Sequence, residues 1–350
     1  AGLSGQNPLS RVEISHDGYA AAILGTKTCV LIPPRGEPRK LRALSRGAKV
    51  KTRPARRAKI KPRQKDAPAS KELAPKKKTE ESVHAILDIK VGPGGAVLAL
   101  LDIVTKKGGK SSVRPAVALW RAGKPLLFLR SGGDDVPDEK TGSAFAFVLK
   151  DFATDGTFAF VEQFTVDDVD VPLSMQDEIF QMNPGRLLVG TLDSPDVLQE
   201  VARTEDAPPG IKDRSLQAFQ DAALAADGRV IFDANFREKG AEGWLFEGRP
   251  PRTLMPILGG RLAGGSAPWS KDAPRVMHLD VEPYGAFAFA SRGGDLIVGS
   301  LERPETTARV ERPALLDEAG KTVGRGEDLS KPRLSLGGDW IVAEASREGG

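Results

Sequence analysis

Cysteine and histidine are scarce in this sequence, and their scarcity excludes several kinds of site. Cys29 is the single cysteine among 350 residues, so no disulfide within the chain is possible. It lies in the apolar run Thr28–Ile32, which predicts a buried strand residue, because free cysteine packs as a small hydrophobic side chain. The three histidines, His16, His84 and His278, have no spacing typical of a metal site. We therefore expect them to be ordinary strand or turn residues.

Long apolar runs are also missing. No run approaches the ~20 residues that a membrane-spanning helix needs. No signal peptide is recognisable, and the chain opens on Ala1, which fits either a removed export signal or a trimmed initiator methionine. Glycine (38 residues) and proline (26 residues) are abundant instead. This composition is typical of many short strands joined by turns.

One motif occurs six times: a short apolar strand, a tight turn with glycine, and a second apolar strand. Segments 151–161 and 222–234 are clear copies. Asp-Gly and Gly-Gly supply the positive φ that a tight turn needs. The strand after each turn is rich in Val, Ile, Phe and Ala, which suits an inner strand packed between two sheets. The shared turn glycines are Gly18, Gly95, Gly156, Gly228, Gly285 and Gly338.

Further apolar strands follow each hairpin. Third strands are predicted at Thr28–Ile32, Val117–Trp120, Glu178–Gln181, Gly243–Phe246 and Asp295–Val298. Fourth strands are predicted at Leu126–Leu129, Leu187–Leu192, Thr253–Ile257 and Ala308–Val310. Four strands per unit predict an all-β fold, a β-propeller of about six four-stranded blades. The sixth copy ends after its second strand, so the last blade is expected to be incomplete or the ring irregularly closed. A tandem sandwich is the structural alternative.

The segments between blades carry a second repeat. Leu129–Asp138 contains Arg-Ser-Gly-Gly-Asp before a strand with Phe145 and Phe147, and Val201–Gly210 contains Arg-Thr-Glu-Asp before Phe219. This pattern resembles a family of uncharacterised bacterial β-propeller repeats and, more distantly, the blades of TolB-like propellers. The resemblance implies a propeller that is exported or attached to the cell envelope. A cytoplasmic location is the alternative.

A strongly basic segment interrupts the repeats. Residues 46–78 hold 14 Lys or Arg and two acidic residues, so the segment carries +12 while the whole chain carries +4. It has no aromatic residue, and its composition predicts disorder. We expect residues 1–45 to form the first blade, 46–83 to be a basic, disordered insertion, and 84–350 to form the remaining blades.

Three interpretations of the basic segment stay open. It is a mobile linker, or it contacts a polyanion such as nucleic acid, an acidic polysaccharide or an anionic membrane surface through its cations, or it binds an acidic protein. The absence of aromatic residues argues against sequence-specific recognition of single strands. The predicted polyanion-binding residues are Lys49, Lys51, Arg53, Arg56, Arg57, Lys59, Lys61, Arg63, Lys65, Lys76, Lys77 and Lys78.

Four aspartates precede the turn glycines at odd offsets. Asp88 and Asp221 lie seven residues before theirs, and Asp151 and Asp280 lie five before theirs. Odd offsets place all four on one side of regular strands, and the first strand of each blade lines the channel of a propeller. An acidic channel is one way to hold Ca²⁺ through carboxylate oxygens. Solvated aspartates at the channel mouth are the alternative, with no cofactor.

The sequence carries no catalytic signature. It therefore favours a non-enzymatic binding or scaffold propeller that presents loops to a protein partner, with the basic segment as an electrostatic arm. The alternative is a propeller hydrolase or lyase with a Ca²⁺ or acidic central-channel site.

Overall fold

The chain folds almost entirely into antiparallel β-sheets. The computed structural model describes residues 9–50, 80–107, 109–136, 143–165, 184–208, 215–225, 227–236, 244–258, 276–282, 284–291, 296–303, 308–310, 314–316, 321–334 and 341–347. Within these ranges the regular helical structure amounts to two single turns of 3₁₀ helix, at Arg42–Leu44 and Pro93–Gly95. None of the described helical segments is long and apolar enough to cross a membrane.

Five sheets have four strands each, paired in chain order within each sheet. Blade one contains β1 (Leu9–Ile14), β2 (Ala20–Leu24), β3 (Thr28–Ile32) and β4 (Arg39–Lys40). Blade two contains β5 (Glu80–Val91), β6 (Val97–Lys107), β7 (Lys110–Trp120) and β8 (Leu127–Ser131). Blade three contains β9 (Ser143–Phe152), β10 (Thr157–Thr165), β11 (Gly185–Thr191) and β12 (Gln199–Arg203).

The remaining strands form blades four and five and one further sheet. Blade four contains β13 (Leu216–Leu224), β14 (Val230–Phe236), β15 (Trp244–Arg249) and β16 (Thr253–Leu258). Blade five contains β17 (Val276–Val281), β18 (Ala286–Ser291), β19 (Leu296–Ser300) and β20 (Ala308–Val310). A three-stranded sheet follows, with β21 (Ala314–Leu316), β22 (Thr322–Leu334) and β23 (Ile341–Arg347). The first strands of the five blades, β1, β5, β9, β13 and β17, contact one another in that order, and β17 contacts β22, the middle strand of the last sheet. This is the arrangement of a β-propeller.

The turn glycines behave as their sequence predicts. Gly18, Gly156, Gly228 and Gly285 all have positive φ, between 78° and 96°. Each of these four glycines donates its N–H to the carbonyl three residues earlier, at 3.0–3.1 Å. A side chain at such a φ is strained, so glycine is the residue that closes these hairpins with least cost.

Apolar cores fill the spaces between successive sheets. Each core draws buried side chains from two neighbouring sheets, for example Leu31 with Ile89, Val117 with Phe160, Val161 with Phe232, Ile231 with Phe287, and Leu296 with the partly buried Ile341. In β10 the odd and even residues face different cores, so Phe158 through Val161 are all at most 3% exposed. Burial of each large side chain stabilises the fold by about 1.5–3 kcal/mol. Burial on both faces explains the continuous apolar run after each turn.

The second repeat forms the same loop twice. In the first copy Ser131 donates its N–H to the Asp134 carboxylate at 2.7 Å, and Ala144 donates to the Asp134 carbonyl at 3.0 Å. In the second copy Arg203 donates to the Asp206 carboxylate at 2.8 Å, and Leu216 donates to the Asp206 carbonyl at 2.9 Å. The aspartate therefore ties the last strand of one blade to the first strand of the next.

A chain of charged residues also crosses from blade two to blade four. Glu162 on β10 is fully buried and accepts from Arg130 of β8 and from Arg186 of β11, each Nε lying 2.5 Å from a carboxylate oxygen. Arg186 also reaches Glu200 on β12 at 3.4 Å. Arg252, from blade four, lies 3.6 Å from the same Glu200 carboxylate. These contacts join three blades by charge as well as by apolar packing.

The predicted number of blades, about six, is not matched. Five sheets have four strands, whereas the expected sixth has three, with β22 pairing β21 along its first residues and β23 along the rest. Residues 317–320, 335–340 and 348–350 next to this sheet lie outside the described residues, so the incomplete or irregularly closed last blade stays a prediction.

Two further strand predictions need correction or qualification. The strand around Leu187 is the third of blade three, not the fourth, and β12 is the fourth. The predicted strand Glu178–Gln181 lies outside the described residues. β5 begins at Glu80, and residues 51–79 lie outside the described residues, so the predicted insertion at 46–83 stays a prediction.

Candidate functional site

A cavity of about 380 Å³ lies on the propeller axis. Its lining draws on the first strand of every blade and on β22, from Val12 on β1 to Leu334. A smaller pocket of about 40 Å³ adjoins it, where Ser15, His16 and Thr154 line both spaces. A volume in this range suits a small molecule or a few side chains of a partner. We refer to the larger space as the axial cavity.

Charged residues line the axial cavity at one repeated position. Glu13, Lys90, Asp151 and Asp280 all contribute to the lining, and each lies five residues before its turn glycine. The sequence prediction included Asp151 and Asp280 but missed Glu13 and Lys90. The offset of five was the signal that could have found them, because the prediction considered only aspartate at that position.

Three of the four predicted aspartates tie neighbouring blades together. The Asp151 carboxylate accepts the N–H of Leu224 in the next blade at 2.8 Å. Asp280 accepts the N–H of Leu334 in the same way at 2.8 Å. A hydrogen bond to a charged group contributes about 1.5–3 kcal/mol to stability. These carboxylates therefore hold the first strands in register around the axis.

Asp221 makes the corresponding bond from blade four to blade five, accepting the N–H of Leu279 at 2.9 Å. Close to it, Lys150 is buried among Asp221 and Asp233. Burial lowers the pKa of the Lys150 ammonium, and the two nearby carboxylates oppose that shift. Charged groups therefore lie both in the buried contact between blades three and four, at Lys150 and Asp221, and on the cavity lining, at Asp151.

Asp88 differs from the other three because its partner lies in the preceding blade. Arg11 Nε lies 2.7 Å from the Asp88 carboxylate and is also bonded to Glu13. Lys90 Nζ lies 3.4 Å from the Glu13 carboxylate. Burial raises the pKa of Asp88, while the charges of Arg11 and Lys90 act against that rise. Blades one and two are thus joined by an ionic network at the axis.

The structure brings two of the predicted metal ligands to one space. Asp151 and Asp280 line the axial cavity, and in the described part of the chain no three His, Cys, Asp or Glu residues are grouped so as to hold a metal. Ca²⁺ binding by Asp88, Asp151, Asp221 and Asp280 stays a prediction. Thermal melting in Ca²⁺ and in EDTA tests it, since a metal bound to the folded state raises the melting temperature.

The predicted polyanion-binding residues fall mostly beyond the described ranges. Lys49 is exposed and forms an isolated β-bridge with Ser82 beside the start of β5. Lys51 to Lys78, the rest of that set, lie outside the described residues. Of the remaining candidates, His16 lines the cavity mouth and Cys29 is fully buried.

Blade one exposes apolar side chains beside the axial cavity. Ile14 is 71% exposed and Val12 is 44% exposed, and both contribute to the cavity lining. The residues at the position of Ile14 in the other four blades are buried, at 3–5% exposure: Val91, Phe152, Leu224 and Val281. Phe152 packs so closely on the turn of blade two that a Cβ on Gly92 would lie 2.4 Å from its ring. We call Val12 and Ile14 the apolar rim.

No family model matches the chain, and no curated protein matches its sequence. Among solved structures, one similar chain belongs to a crystal structure of the mitotic checkpoint complex, with a TM-score of 0.37 and 8% identity over 97% of this chain and 86% of that chain. Another is Raptor of Chaetomium thermophilum, with a TM-score of 0.33 and 10% identity over 99% of this chain. This chain spans only 28% of the length of that Raptor chain. Because both TM-scores are low, the assignment of a propeller rests on the strand pairing within this chain and not on these two structures.

Proposed function

We propose that this chain is a non-enzymatic binding or scaffold propeller that holds a protein partner at the apolar rim of its axial cavity. The exposure of Ile14 is the observation that supports this proposal most directly. Four blades bury the corresponding side chain against a neighbour, and blade one presents it to solvent at 71% exposure. Val12, 44% exposed, lines the same cavity, and exposed apolar side chains that are grouped, unlike scattered single ones, mark an interaction site.

The composition around the rim supports a protein partner. Val12 and Ile14 supply apolar contact, while Ser15 and His16 at the mouth supply polar groups. Interfaces between proteins combine an apolar centre with a polar margin in this way. The rigid sheets beneath the rim hold these groups in place, which lowers the ordering cost of binding.

A photo-crosslinking amino acid placed at position 14 tests the proposal in cells that make this protein. We expect a specific protein adduct that is lost when Val12→Asp is added, because a carboxylate disrupts the apolar contact. Position 113 is the matched control, since Val113 is also apolar and 55% exposed, on β7. No adduct at position 14, or the same adducts at positions 14 and 113, would contradict the proposal.

The basic segment 46–78 is proposed as a second, electrostatic contact for a polyanion or an acidic protein. Its +12 charge supports this, because cations bound to a polyanion release counterions and the binding weakens with salt. Deletion of 46–78 is expected to abolish salt-sensitive retention of the protein on heparin. Unchanged retention would assign the anionic contact to another surface. Export or attachment to the cell envelope also remains a proposal, testable by fractionation of the source cells.

A further inference from the structure

Exposed cations gather at the end of blades one and two that lies away from the axial cavity. Ser15 and His16, just before the turn of Gly18, line the cavity at one end of the sheets. Antiparallel strands reverse direction at each turn, so the β2–β3 and β6–β7 turns lie at the opposite end. The exposed cations at that end, which we call the basic patch, are Lys27, Arg42, Arg46, Lys49, Lys107 and Lys110.

Hydrogen bonds and strand pairing join the basic patch into one surface. Arg46 donates its backbone N–H to the Lys27 carbonyl at 2.8 Å. Lys49 forms its β-bridge with Ser82 on β5, β5 pairs with β6, and β6 pairs with β7. Neighbouring strands lie about 4.8 Å apart, so the patch extends over roughly 15 Å from Lys49 across to β7.

These cations differ from arginines elsewhere in the described part of the chain. Arg130, Arg186 and Arg229 each have a carboxylate oxygen at 2.5–2.6 Å. None of the six cations of the basic patch forms an ion pair with a residue that the structure describes. Arginines on the sheets therefore bind carboxylates within the fold, whereas the patch presents its charge to solvent.

Stability of the fold does not explain the basic patch. Lys107 and Lys110 lie directly opposite each other in the β6–β7 register, and like charges in such a pair destabilise a sheet. The two acidic residues that begin β5 have other neighbours, since Glu81 pairs with an arginine of β7 at 3.0 Å and Glu80 lies opposite Lys106. An unfavourable arrangement of charge that the described fold leaves uncompensated points to an external anion.

The surroundings of the patch favour a phosphate backbone. Segments 42–50 and 104–113 contain no aromatic residue, so the patch lacks the stacking platform that single-strand binding uses. On the described strands that carry the patch, Val113 is the exposed large apolar side chain, at 55%, whereas protein interfaces have an apolar core and membrane-surface segments insert several apolar side chains. A duplex carries one negative charge per about 1.7 Å of its axis, so roughly nine charges face a patch of this width.

We propose that the basic patch binds the phosphate backbone of double-stranded nucleic acid without reading its sequence. This inference rests on the electrostatic contact of the proposed function, and it assigns to that contact a surface on blades one and two and one class of partner. Arg46 and Lys49 belong both to the patch and to segment 46–78, so deletion of the segment does not separate the two. Lys107 and Lys110 lie outside the segment and separate them.

The salt dependence of binding measures how many cations contact phosphate. Binding of the full chain to a fluorescent duplex of about 20 base pairs is followed by anisotropy between about 50 and 200 mM KCl. The logarithm of the association constant falls with the logarithm of salt concentration, with a slope of about −0.9 per phosphate neutralised. Lys107→Gln with Lys110→Gln should therefore reduce the steepness of the slope by about 1.8. This double variant should fold, because it removes the pair of like charges.

Arg35→Gln with Lys124→Gln is the matched control. Both residues are exposed, in the β3–β4 and β7–β8 loops, at the other end of the same two blades. The control removes the same two positive charges from the chain, so it has the same effect on long-range attraction. We expect it to keep the slope of the unaltered chain.

An unchanged slope in the Lys107 and Lys110 double variant would overturn the proposal, and so would an equal change in the control. Absence of duplex binding at the lowest salt concentration would overturn it as well. Two other anions test the class of partner: poly-glutamate, and phosphatidylcholine vesicles with about one-fifth phosphatidylserine. Tighter binding to either one than to the duplex, at equal concentration of negative charge, would assign the patch to an acidic protein or to a membrane.

Failure of this inference is distinguishable from failure of the proposed function. Every variant in the slope comparison retains segment 46–78, so any contribution of the segment is the same in all of them. The heparin test of the segment and the photo-crosslink at position 14 leave Lys107 and Lys110 unaltered. Each of the three contacts can therefore be refuted without the others.

Discussion

The buried Glu162 carboxylate offers the sharpest test of how the blades are held together. It is fully buried, and it pairs with Arg130 from blade two and with Arg186 from its own blade, at 2.5 Å each. Substitution Glu162→Ala leaves two guanidinium groups without their main partner. Their side chains are only 16% and 7% exposed, so water cannot fully replace the carboxylate.

Breaking a buried ion pair by removing one partner costs about 3–5 kcal/mol. Partial compensation is available here. Arg186 keeps a contact to Glu200 at 3.4 Å, and Arg130 keeps its bond to the Asp135 carbonyl at 3.0 Å. The lower end of the range, about 3 kcal/mol, is therefore expected. The entropy of unfolding is about 2.1 cal/mol/K per residue, or roughly 0.7 kcal/mol/K for 350 residues. The melting temperature should fall by about 4 °C if the chain unfolds as one unit.

Differential scanning calorimetry measures this shift, and urea unfolding gives the free energy independently. Glu302→Ala is the control, because Glu302 is exposed in the turn after β19 and its removal should change stability by less than about 0.5 kcal/mol. If Glu162→Ala melts within 1 °C of the unaltered protein, the charged chain between blades does not stabilise the fold and the reasoning fails.

Three further predictions follow from single contacts. Asp221→Ala should lower the free energy of unfolding in urea by about 1–3 kcal/mol, because it removes the acceptor of the Leu279 N–H. Asp221→Asn keeps an oxygen acceptor and should cost less, so equal effects of the two substitutions would contradict a stabilising role for this hydrogen bond. Burial raises the pKa of Cys29 to about 12 from 9.0. Because the thiolate is the reactive form, a thiol reagent at pH 8 should label Cys29 roughly 1000-fold more slowly in the folded protein than in the urea-unfolded chain. Comparable labelling rates in the two states would refute this. Glu205 has a positive φ of 78° where the equivalent loop has Gly133, so Glu205→Gly should stabilise by up to about 1 kcal/mol, and a lower unfolding midpoint would contradict that.

The repeated hairpins were readable from the sequence because their cause is local. A turn with positive φ needs glycine, so Gly156 and Gly228 mark their hairpins whatever the surroundings. The two Arg-Ser/Thr loops were readable for the same reason, since Asp134 and Asp206 each bond a backbone N–H three residues earlier. The strand around Leu187 was misplaced because apolar strands look alike in sequence and their order in a sheet depends on pairing.

The charged residues on the axis were only partly predictable. Asp151 and Asp280 were identified from their offset to the turn. Their partners, the N–H groups of Leu224 and Leu334, lie 73 and 54 residues further along the chain. Nothing local indicates that these carboxylates join blades, so the sequence suggested a metal site as readily as a structural role. The pairing of Glu162 with Arg130 is hidden in the same way.

The sequence by itself determined the turn positions of the repeated unit and the continuous apolar runs that are buried on both faces of strands such as β10. These properties depend on backbone geometry and on apolar periodicity within a few residues. The tertiary structure alone decided how the units meet, namely which carboxylates bond the next blade, that five sheets are complete, and that Ile14 is exposed where its counterparts are buried. Exposure is a property of what packs against a residue, and an isoleucine before a turn reads as core in any blade until its neighbour is known.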